Sequence, residues 1–284
     1  MVVLGPFAAL AYRFGVDVDD DGLARHVSEL LAGLATPWID QAGELDTLTM
    51  RGPDDPRLAV NQETVAGSDV PERLLPALFG HVNRRAVTST SNRLLLLHAG
   101  AVSAGPTAVL LPAPAESGKT TLTAGLVRRG LDYVTDEAVG IDPRSLAVVP
   151  YSKPLSVDPG SWDALADLEP QVEESLRPLH SSQWQVSPES VRHGSVSGPS
   201  HPSLVVFPLY QPSSPTRLED MSRADAVVQL AQNSFNFHDN GRALLPVLAA
   251  VVAQCQCYRL VVGDLSSACE EILALVDTRV RVPA

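Results

Sequence analysis

Hydrophobic positions in the first third of the chain predict one strand followed by two helices. Residues 7–18 are apolar or alternate with polar ones, which is typical of a strand. In residues 22–33 the leucines and valines recur every three or four positions, so we expect a helix that Asp20 or Asp21 caps. A second helical pattern covers residues 71–85.

Two continuous apolar runs in the middle of the chain predict buried strands of a central sheet. They cover residues 94–102 and 107–113 and are separated by a short polar turn. Uninterrupted apolar runs of this length are typical of strands that are buried on both faces. The next segment has helical spacing and predicts a helix from Lys119 to a stop at Gly130, after which residues 133–141 read as a further strand.

The pattern becomes less regular beyond the middle of the chain. Residues 153–215 are rich in Ser, Pro and Gly, and within them residues 187–203 form either a mobile loop near a substrate or a passive surface connection. Residues 204–210 predict one more strand, and Ser222 opens a helix with a capping-box pattern. Two further helices are expected, one over residues 242–254 and one opened by Ser267.

The order of these elements sets the fold class. A strand, a loop containing Gly-Lys-Thr, a helix and a second strand follow one another, which is typical of α/β proteins. We therefore expect a mixed central sheet with a phosphate-binding loop (P-loop) and flanking helices. The expected domains are a small α/β N-terminal region over residues 1–88 and a P-loop domain over residues 89–284.

Composition and charge narrow the possible partners. Hydrophobic residues make up 45% of the chain and charged residues 19%, which is typical of a folded globular protein. The 33 acidic residues against 21 basic ones give a net charge of −12, which repels nucleic acids and anionic lipid surfaces. No apolar stretch is long enough for a membrane helix. We expect neither nucleic acid nor a membrane as partner. The sequence leaves open whether the chain forms a homo-oligomer.

The cysteines and the first residues favour a cytoplasmic protein. Only three cysteines are present, which suits a reducing compartment better than a disulfide scaffold. The apolar start of the chain lacks the basic residues of a signal peptide. Cys255 and Cys257 could bind a soft metal, but no second pair of ligands follows at suitable spacing, so a buried pair is the favoured interpretation.

Residues 113–120, APAESGKT, match the phosphate-loop pattern G-x-x-x-x-G-K-[ST] except at the first position, where Ala113 replaces Gly. In such loops backbone N–H groups converge on phosphate oxygens, the Lys reaches the β- and γ-phosphates, and the hydroxyl ligates Mg²⁺. Gly118, Lys119 and Thr120 supply these parts. Ala113 is tolerable if its φ is negative, whereas a positive φ would cost about 1 kcal/mol.

This match predicts ATP and Mg²⁺ as cofactors. Glu116 would have to point away from the phosphates. The alternative is an ordinary strand, turn and helix with an exposed Ser-Gly-Lys-Thr. The residues expected to contact the nucleotide are Ala115, Glu116, Ser117, Gly118, Lys119, Thr120 and Thr121.

Asp136 and Glu137 are the candidate acids. A carboxylate at this place can hold Mg²⁺ or accept the proton of an incoming hydroxyl. Neighbouring residues of a strand point to opposite faces, so the two acids would have different roles. We assign the base to Asp136, and a metal or indirect metal-holding role to Glu137 beside Thr120. A hairpin with surface acids is the alternative.

Three weaker candidates complete the set. His98 ends an apolar run beside the strand that leads into the loop, which places it near the phosphates, although a lone His at a strand end is more often structural. Lys153 is a further candidate for contacting phosphate or substrate. Residues 233–240, with His238 and two Phe, form either a substrate edge or a loop between helices.

Taken together, these residues resemble the kinase core of HPr kinase/phosphorylase. The resemblance is carried by His98-Ala-Gly, the Ser117-Gly-Lys-Thr loop, a helix ending Arg-Arg-Gly130, and Thr135-Asp-Glu, and it covers residues 93–157. Ala113 stands where that family has Gly, and Glu137 stands where it has Asp. The rest of the chain is similar to diverged HPr-kinase-like proteins, some of which accompany peptide natural-product pathways.

The resemblance implies a kinase core of the phosphoenolpyruvate-carboxykinase type that uses ATP and Mg²⁺. It assigns phosphate binding to Lys119, Mg²⁺ binding to Thr120, the base to Asp136, the second acid to Glu137, and a place near the transferred group to His98. The expected acceptor is a hydroxyl, first a serine of a peptide or small protein, including a ribosomally made precursor, and next a small-molecule alcohol. The second hypothesis is a nucleotide-binding regulator without phosphotransfer.

Overall fold

The computed structural model describes residues 1–38, 40, 42–52, 55–67 and 70–280. The strands are β1 (Val2–Ala9), β2 (Tyr12–Val18), β3 (Ala42–Arg51), β4 (Arg57–Val60), β5 (Glu63–Gly67), β6 (Leu95–Ala104), β7 (Thr107–Pro112), β8 (Asp132–Thr135), β9 (Ala138–Ile141), β10 (Val148–Val149), β11 (Leu155–Val157), β12 (Trp184–Val186), β13 (His201–Tyr210), β14 (Arg217–Asp220) and β15 (Gln256–Val262). The α-helices are α1 (Asp21–Leu31), α2 (Leu74–Thr90), α3 (Lys119–Arg128), α4 (Pro188–Val191), α5 (Arg223–Gln232), α6 (Phe237–Gln254) and α7 (Leu265–Val280).

The mixed α/β class is confirmed, and the chain forms two compact units. The N-terminal unit contains Met1–Thr90 and Lys153–Ser190, and the second unit contains Ser91–Ser152 and Val191–Ala284. The sequence predicts residues 153–190 within the second domain, whereas in the structure they belong to the N-terminal unit.

The N-terminal unit is built on a five-stranded sheet in the order β1-β2-β3-β4-β5. The single strand expected over residues 7–18 is two antiparallel strands, because Leu10 takes a positive φ and turns the chain back. Helix α1 forms where expected, and Asp20 caps it by accepting from the Leu23 N–H. The apolar face of α1, including Leu23 and Val27, is buried. The pattern over residues 71–85 becomes one 3₁₀ turn and the longer helix α2.

Residues 153–190 join this unit through their own buried leucines and polar contacts. The segment pairs β11 with β12 in an antiparallel ribbon. Ser182 donates to the Glu72 carbonyl at 2.9 Å, and Arg25 forms an ion pair with Glu173 at 2.9 Å. Lys153 is buried and donates to the Pro154 carbonyl at 2.9 Å. The buried leucines of the segment are Leu155, Leu165, Leu168, Leu176 and Leu179.

A pair of histidines links helix α1 to this segment. The Nε2 atoms of His26 and His180 lie 2.8 Å apart, and the Gln185 N–H donates to His180 Nδ1 at 3.4 Å. Because Nδ1 accepts, His180 carries its proton on Nε2 and donates it to His26. Burial lowers the pKa of His26 to about 4. Burial, together with His26, lowers the pKa of His180 to about 3.

We expect this pair to make the protein sensitive to acid. Both folded pKa values lie below the ordinary value, so the unfolded chain binds more protons, and stability that is complete above about pH 6.5 is lost as the pH falls towards 4. The free energy of unfolding should fall by about 5 kcal/mol between pH 7 and pH 4.5 through this pair, about half of it from each histidine. Urea titrations at both pH values measure the loss.

The double variant His26→Gln with His180→Gln should remove most of this pH dependence. The exposed His201 provides the control, since His201→Gln should leave the dependence as it is in the unchanged chain. An equal loss of stability in the double variant and the unchanged chain would contradict the role of the pair.

The second unit contains an eight-stranded mixed sheet in the order β10-β9-β6-β7-β13-β15-β14, with β8 also paired to β6. Strand β13 runs parallel to both of its neighbours, β7 and β15. Strand β6 runs antiparallel to β7. The two apolar runs in the middle of the chain thus form adjacent strands at the centre of the sheet, as their uninterrupted hydrophobicity predicts.

Helices cover both faces of this sheet. On one face, α5 and α6 pack on alternate residues of β6, among them Leu97, Ala99 and Ala101. Alternation directs Gly100, and with it His98, to the other face. There α3 packs against β6, and its Gly125 lies close to Cys269 of α7.

Of the last three helices, α5 begins as expected, whereas α6 and α7 begin at other residues than the sequence predicts. Ser222 caps α5 by accepting from the Asp225 N–H, as expected. Helix α6 begins at Phe237 rather than at residue 242, with a kink at Asn240. Helix α7 begins two residues before Ser267, because Asp264 takes the capping position and accepts from the Ser267 N–H at 2.9 Å. Within the described ranges, no helix is long and apolar enough to cross a membrane.

Candidate functional site

The candidate residues meet where β6 and β7 part. Ala99 of β6 pairs with Pro112, the last residue of β7, after which the chain leaves the sheet as the loop 113–120. On the other side of β6, His98 pairs with Ala138 at the start of β9. The same end of these strands therefore carries the loop 113–120, His98, and the two acids that precede Ala138.

The loop 113–120 has a backbone that suits its sequence at Ala113 and Gly118, whereas Glu116 takes a φ of 59°, which is uncommon for a residue other than glycine. Gly118 has a φ of 83°, the left-handed region that favours glycine, and an added Cβ there would meet nothing within 4 Å. Ala113 is not among the residues with a positive φ, so no glycine is needed at this position. Ala115 and Glu116 are exposed at the tip of the loop, and Thr121 lies half-buried in the first turn of α3.

Lys119 folds back over this loop. Its Nζ donates to the Ala113 carbonyl at 2.9 Å and to the Pro114 carbonyl at 2.5 Å, and the residue is only 6% exposed. An ammonium group has three donors, so one N–H remains to reach a phosphate oxygen. Burial lowers the pKa of Lys119, while the charges of Glu137 and Asp136 act in the opposite direction.

Asp136 is held in place by two hydroxyl groups. Thr120 donates to Asp136 Oδ2 at 3.0 Å, and Tyr133 donates to Oδ1 at 2.9 Å. Asp136 is 2% exposed, and burial together with the Asp136 charge raises the pKa of the Tyr133 phenol well above its ordinary value. Two hydroxyl donors alone do not fill the four acceptor sites of a carboxylate.

The two acids lie in a break of one strand. Residues 133–141 were expected as a continuous strand, but β8 ends at Thr135 and β9 begins at Ala138. Thr135 keeps the register of β9 on β6, and the Ala99 N–H still donates to the Glu137 carbonyl at 3.1 Å. The rest of β8 is shifted by one residue, since the register changes between Ala101 and Val102. Asp136 turns inward to Thr120, whereas Glu137 is half-exposed beside His98.

His98 is neutral at physiological pH. Burial, with a contribution from the charge of Lys119, lowers the pKa of His98 to about 4. Its Nε2 lies 3.8 Å from Glu137 Oε1, which is beyond hydrogen-bond distance, and a neutral imidazole forms no ion pair. His98 thus brings hydrogen-bonding nitrogens, without charge, to the space beside the carboxylates.

Residues 233–236 continue the sheet where β7 leaves it. The His98 N–H donates to the Asn233 carbonyl at 2.6 Å, and the Phe235 N–H donates to the Leu96 carbonyl at 2.9 Å. The buried Asn236 side chain donates to the carbonyls of Ser91 and Leu94 and accepts from the Leu96 N–H. Part of the 233–240 segment is therefore a fixed strand-like edge against β6.

Gly100 allows α3 to approach β6. A Cβ at this position would lie 2.5 Å from Thr123 Oγ1, which is buried in α3. We expect Gly100→Ala to lower the free energy of unfolding by about 1–3 kcal/mol because the helix must move away. Urea titration measures the loss, and adding Thr123→Ala should recover most of it.

Gly80 in α2 is the matched control, because an added Cβ there meets nothing within 4 Å. Gly80→Ala should be neutral or mildly stabilising, since Ala is the better helix former. A double variant no more stable than Gly100→Ala alone would contradict the close contact with Thr123.

The donor groups fit Mg²⁺ and phosphate. Mg²⁺ prefers oxygen ligands, and the Thr120 hydroxyl and the carboxylates of Asp136 and Glu137 are of this kind. Ser117 Oγ in the loop is buried and, within the part of the chain that the structure describes, has no hydrogen-bond partner. The same holds for the phenol of Tyr151, whose pKa is raised by burial and by the charges of Glu137 and Asp136.

Several contacts of this site could not be read from the sequence. By sequence Tyr133 is only part of an apolar approach to the acids, whereas in the structure it holds Asp136. The sequence of the loop after α4 fits both a mobile and a passive loop, and the structure anchors this loop at Arg192. The Arg192 guanidinium donates to the carbonyls of Val127 and Leu131 at 3.1 and 3.0 Å, at the end of α3. An Arg with no local pairing pattern gives no signal for such a contact.

Comparison with known proteins finds similarity among solved structures. No protein-family model matches the chain, and no curated protein matches it. Among solved structures, it is similar to the Hpr(Ser) kinase/phosphatase from Coxiella burnetii, with 14% sequence identity and a TM-score of 0.32 over 66% of this chain and 93% of that chain. We therefore derive the function from the residues of the site.

Proposed function

We propose that this chain is an ATP-dependent phosphotransferase that moves the γ-phosphoryl group of ATP to a hydroxyl, with a serine of a peptide or small protein as acceptor. The observation that carries the proposal is the 3.0 Å hydrogen bond from Thr120 to Asp136. It joins the hydroxyl expected to bind Mg²⁺ to the carboxylate expected to accept a proton, directly beside the lysine of the loop.

Each residue has a role in this reaction. The N–H groups at the start of α3 and the Lys119 ammonium bind the β- and γ-phosphates. Mg²⁺, when bound, neutralises phosphate charge, and Thr120 and Glu137 are the residues that would hold it. Asp136 accepts the proton of the acceptor hydroxyl while the new P–O bond forms and the bond to the ADP oxygen breaks. Tyr133 fixes the orientation of Asp136.

Calorimetric titration with Mg²⁺-ATP, together with transfer of radiolabelled phosphate to serine peptides, tests the proposal. We expect both binding and transfer. Binding without transfer to any acceptor, with turnover unaffected by Asp136→Asn, would favour the nucleotide-binding regulator instead. An absence of nucleotide binding would contradict both functions.

A further inference from the structure

We propose that Phe235 contacts the acceptor and selects hydroxyls that have a bulky apolar group beside them. This inference rests on the proposed function and names the class of its substrate. It concerns a residue of the 233–236 edge, which the sequence left open between a substrate edge and a loop.

Phe235 lies where one neighbour of β6 in the sheet gives way to another. β7 accompanies β6 as far as Ala99, and from His98 onwards the 233–236 edge takes over as the neighbour of β6. The loop 113–120 and the 233–236 edge therefore diverge around His98. In α/β sheets, ligands usually bind in the crevice that forms where the segments following two neighbouring strands diverge. Phe235 lies at this point, with its ring centroid 5.3 Å from that of His98.

The Phe235 ring is held there in a partly exposed position. Phe235 is 39% exposed, although its backbone is hydrogen-bonded to β6 and the neighbouring Asn236 is anchored by three hydrogen bonds. Single exposed apolar side chains are common on protein surfaces. Phe235 differs because it is fixed, and because it lies against a residue of the candidate site.

The phosphoryl acceptor, rather than the base of the nucleotide, contacts the Phe235 ring. His98 Nε2 lies 3.8 Å from Glu137 Oε1, and the charge of Lys119 helps to lower the pKa of His98. Since Lys119 is the residue proposed to bind the β- and γ-phosphates, His98 is near the γ-phosphoryl end of a bound nucleotide. The base of ATP is separated from that end by the whole triphosphate. A group that touches Phe235 beside His98 therefore belongs to the molecule that receives the phosphoryl group.

The surroundings define the chemistry of that molecule. Phe235 and the neutral His98 offer an uncharged, aromatic surface, which favours an apolar group in contact with it. Beyond them lie the carboxylates of Asp136 and Glu137, and the chain has a net charge of −12, so an acidic acceptor would be repelled. The acceptor is thus a neutral or basic peptide whose serine is next to a large apolar residue.

Two blocked dipeptides, N-acetyl-Ser-Phe-amide and N-acetyl-Ser-Ala-amide, test this selection. Their binding to the chain is measured by calorimetry with and without Mg²⁺ and a non-hydrolysable ATP analogue, and phosphate transfer is measured with radiolabelled ATP. We expect the Ser-Phe dipeptide to bind about tenfold more tightly than Ser-Ala, the size of a good aromatic contact. Phe235→Ala should abolish the preference, and Phe235→Leu should keep part of it.

The controls separate this inference from the proposed function. Leu245→Ala removes another exposed apolar side chain, 49% exposed on α6, and should change nothing. Nucleotide affinity should be the same in Phe235→Ala as in the unchanged chain. A loss of nucleotide affinity with the dipeptide preference retained would make Phe235 a platform for the base and overturn the inference.

Two further outcomes are decisive. Equal binding of both dipeptides, or binding of neither, overturns the selection by Phe235. If the dipeptides bind with the expected preference but ATP does not bind, the phosphotransferase proposal fails while the role of Phe235 as a binding residue stands.

Discussion

Replacing Asp136 with Asn should slow phosphate transfer by about 10²- to 10⁴-fold while leaving nucleotide affinity almost unchanged. An amide cannot accept the proton of the acceptor hydroxyl, but it keeps the shape of the buried carboxylate. The Thr120 and Tyr133 hydroxyls can reorient to satisfy it, because each can donate or accept. Single-turnover transfer to an accepted serine peptide and calorimetric titration with ATP measure the two quantities.

Asp220→Asn is the matched control for this variant. Asp220 is an exposed carboxylate at the end of β14, and its change to an amide should affect neither quantity. Thermal unfolding of Asp136→Asn shows whether the buried site is intact. If transfer and nucleotide affinity fell together by the same factor in a folded variant, Asp136 would hold the metal or the loop and would not be the base.

Replacing Lys119 with Ala should weaken the binding of Mg²⁺-ATP by roughly 10- to 100-fold, the value of a charge-assisted hydrogen bond to phosphate. The ammonium is almost fully buried over the loop and directed by the carbonyls of Ala113 and Pro114. A buried donor of this kind is not replaced by solvent at the same strength. Calorimetric titration gives the dissociation constants.

Arg259→Ala removes a cation of β15 whose side chain is 51% exposed, and it should leave nucleotide binding unchanged. Because Lys119 also ties the loop together, its variant has to be compared at temperatures well below its own unfolding transition. Unchanged ATP affinity in folded Lys119→Ala would rule out the loop 113–120 as the phosphate-binding element.

The parts of the site that are local in sequence were predictable. The Ser-Gly-Lys-Thr segment after an apolar run requires a strand, a tight turn and a helix, and α3 begins at Lys119 as that pattern predicts. The apolar runs of β6 and β7 were recognisable because strands buried on both faces have no polar alternation. Thr120 and Asp136 were both singled out as candidates, and they are in contact, while their roles in transfer remain predictions.

The parts that depend on distant residues were not predictable. Tyr133 reaches Asp136 only because the strand breaks after Thr135, and a two-residue break has no marker in the apolar pattern. Phe235 lies beside His98 through backbone pairing between segments far apart in the chain, and such pairing depends on register rather than on composition. The sequence could name these residues as aromatic, but it could not assign their neighbours.

The N-terminal unit is formed by two separate stretches of the chain, which determines how the protein can be divided into fragments that fold. The chain passes between the two units three times, after Thr90, Ser152 and Ser190. A fragment cut once near residue 89 would keep the leucines of residues 153–190 but lose the partners that shield them from water, and it would tend to aggregate. Isolating the second unit therefore requires removing that insert as well and bridging Ser152 to Val191 with a short flexible linker.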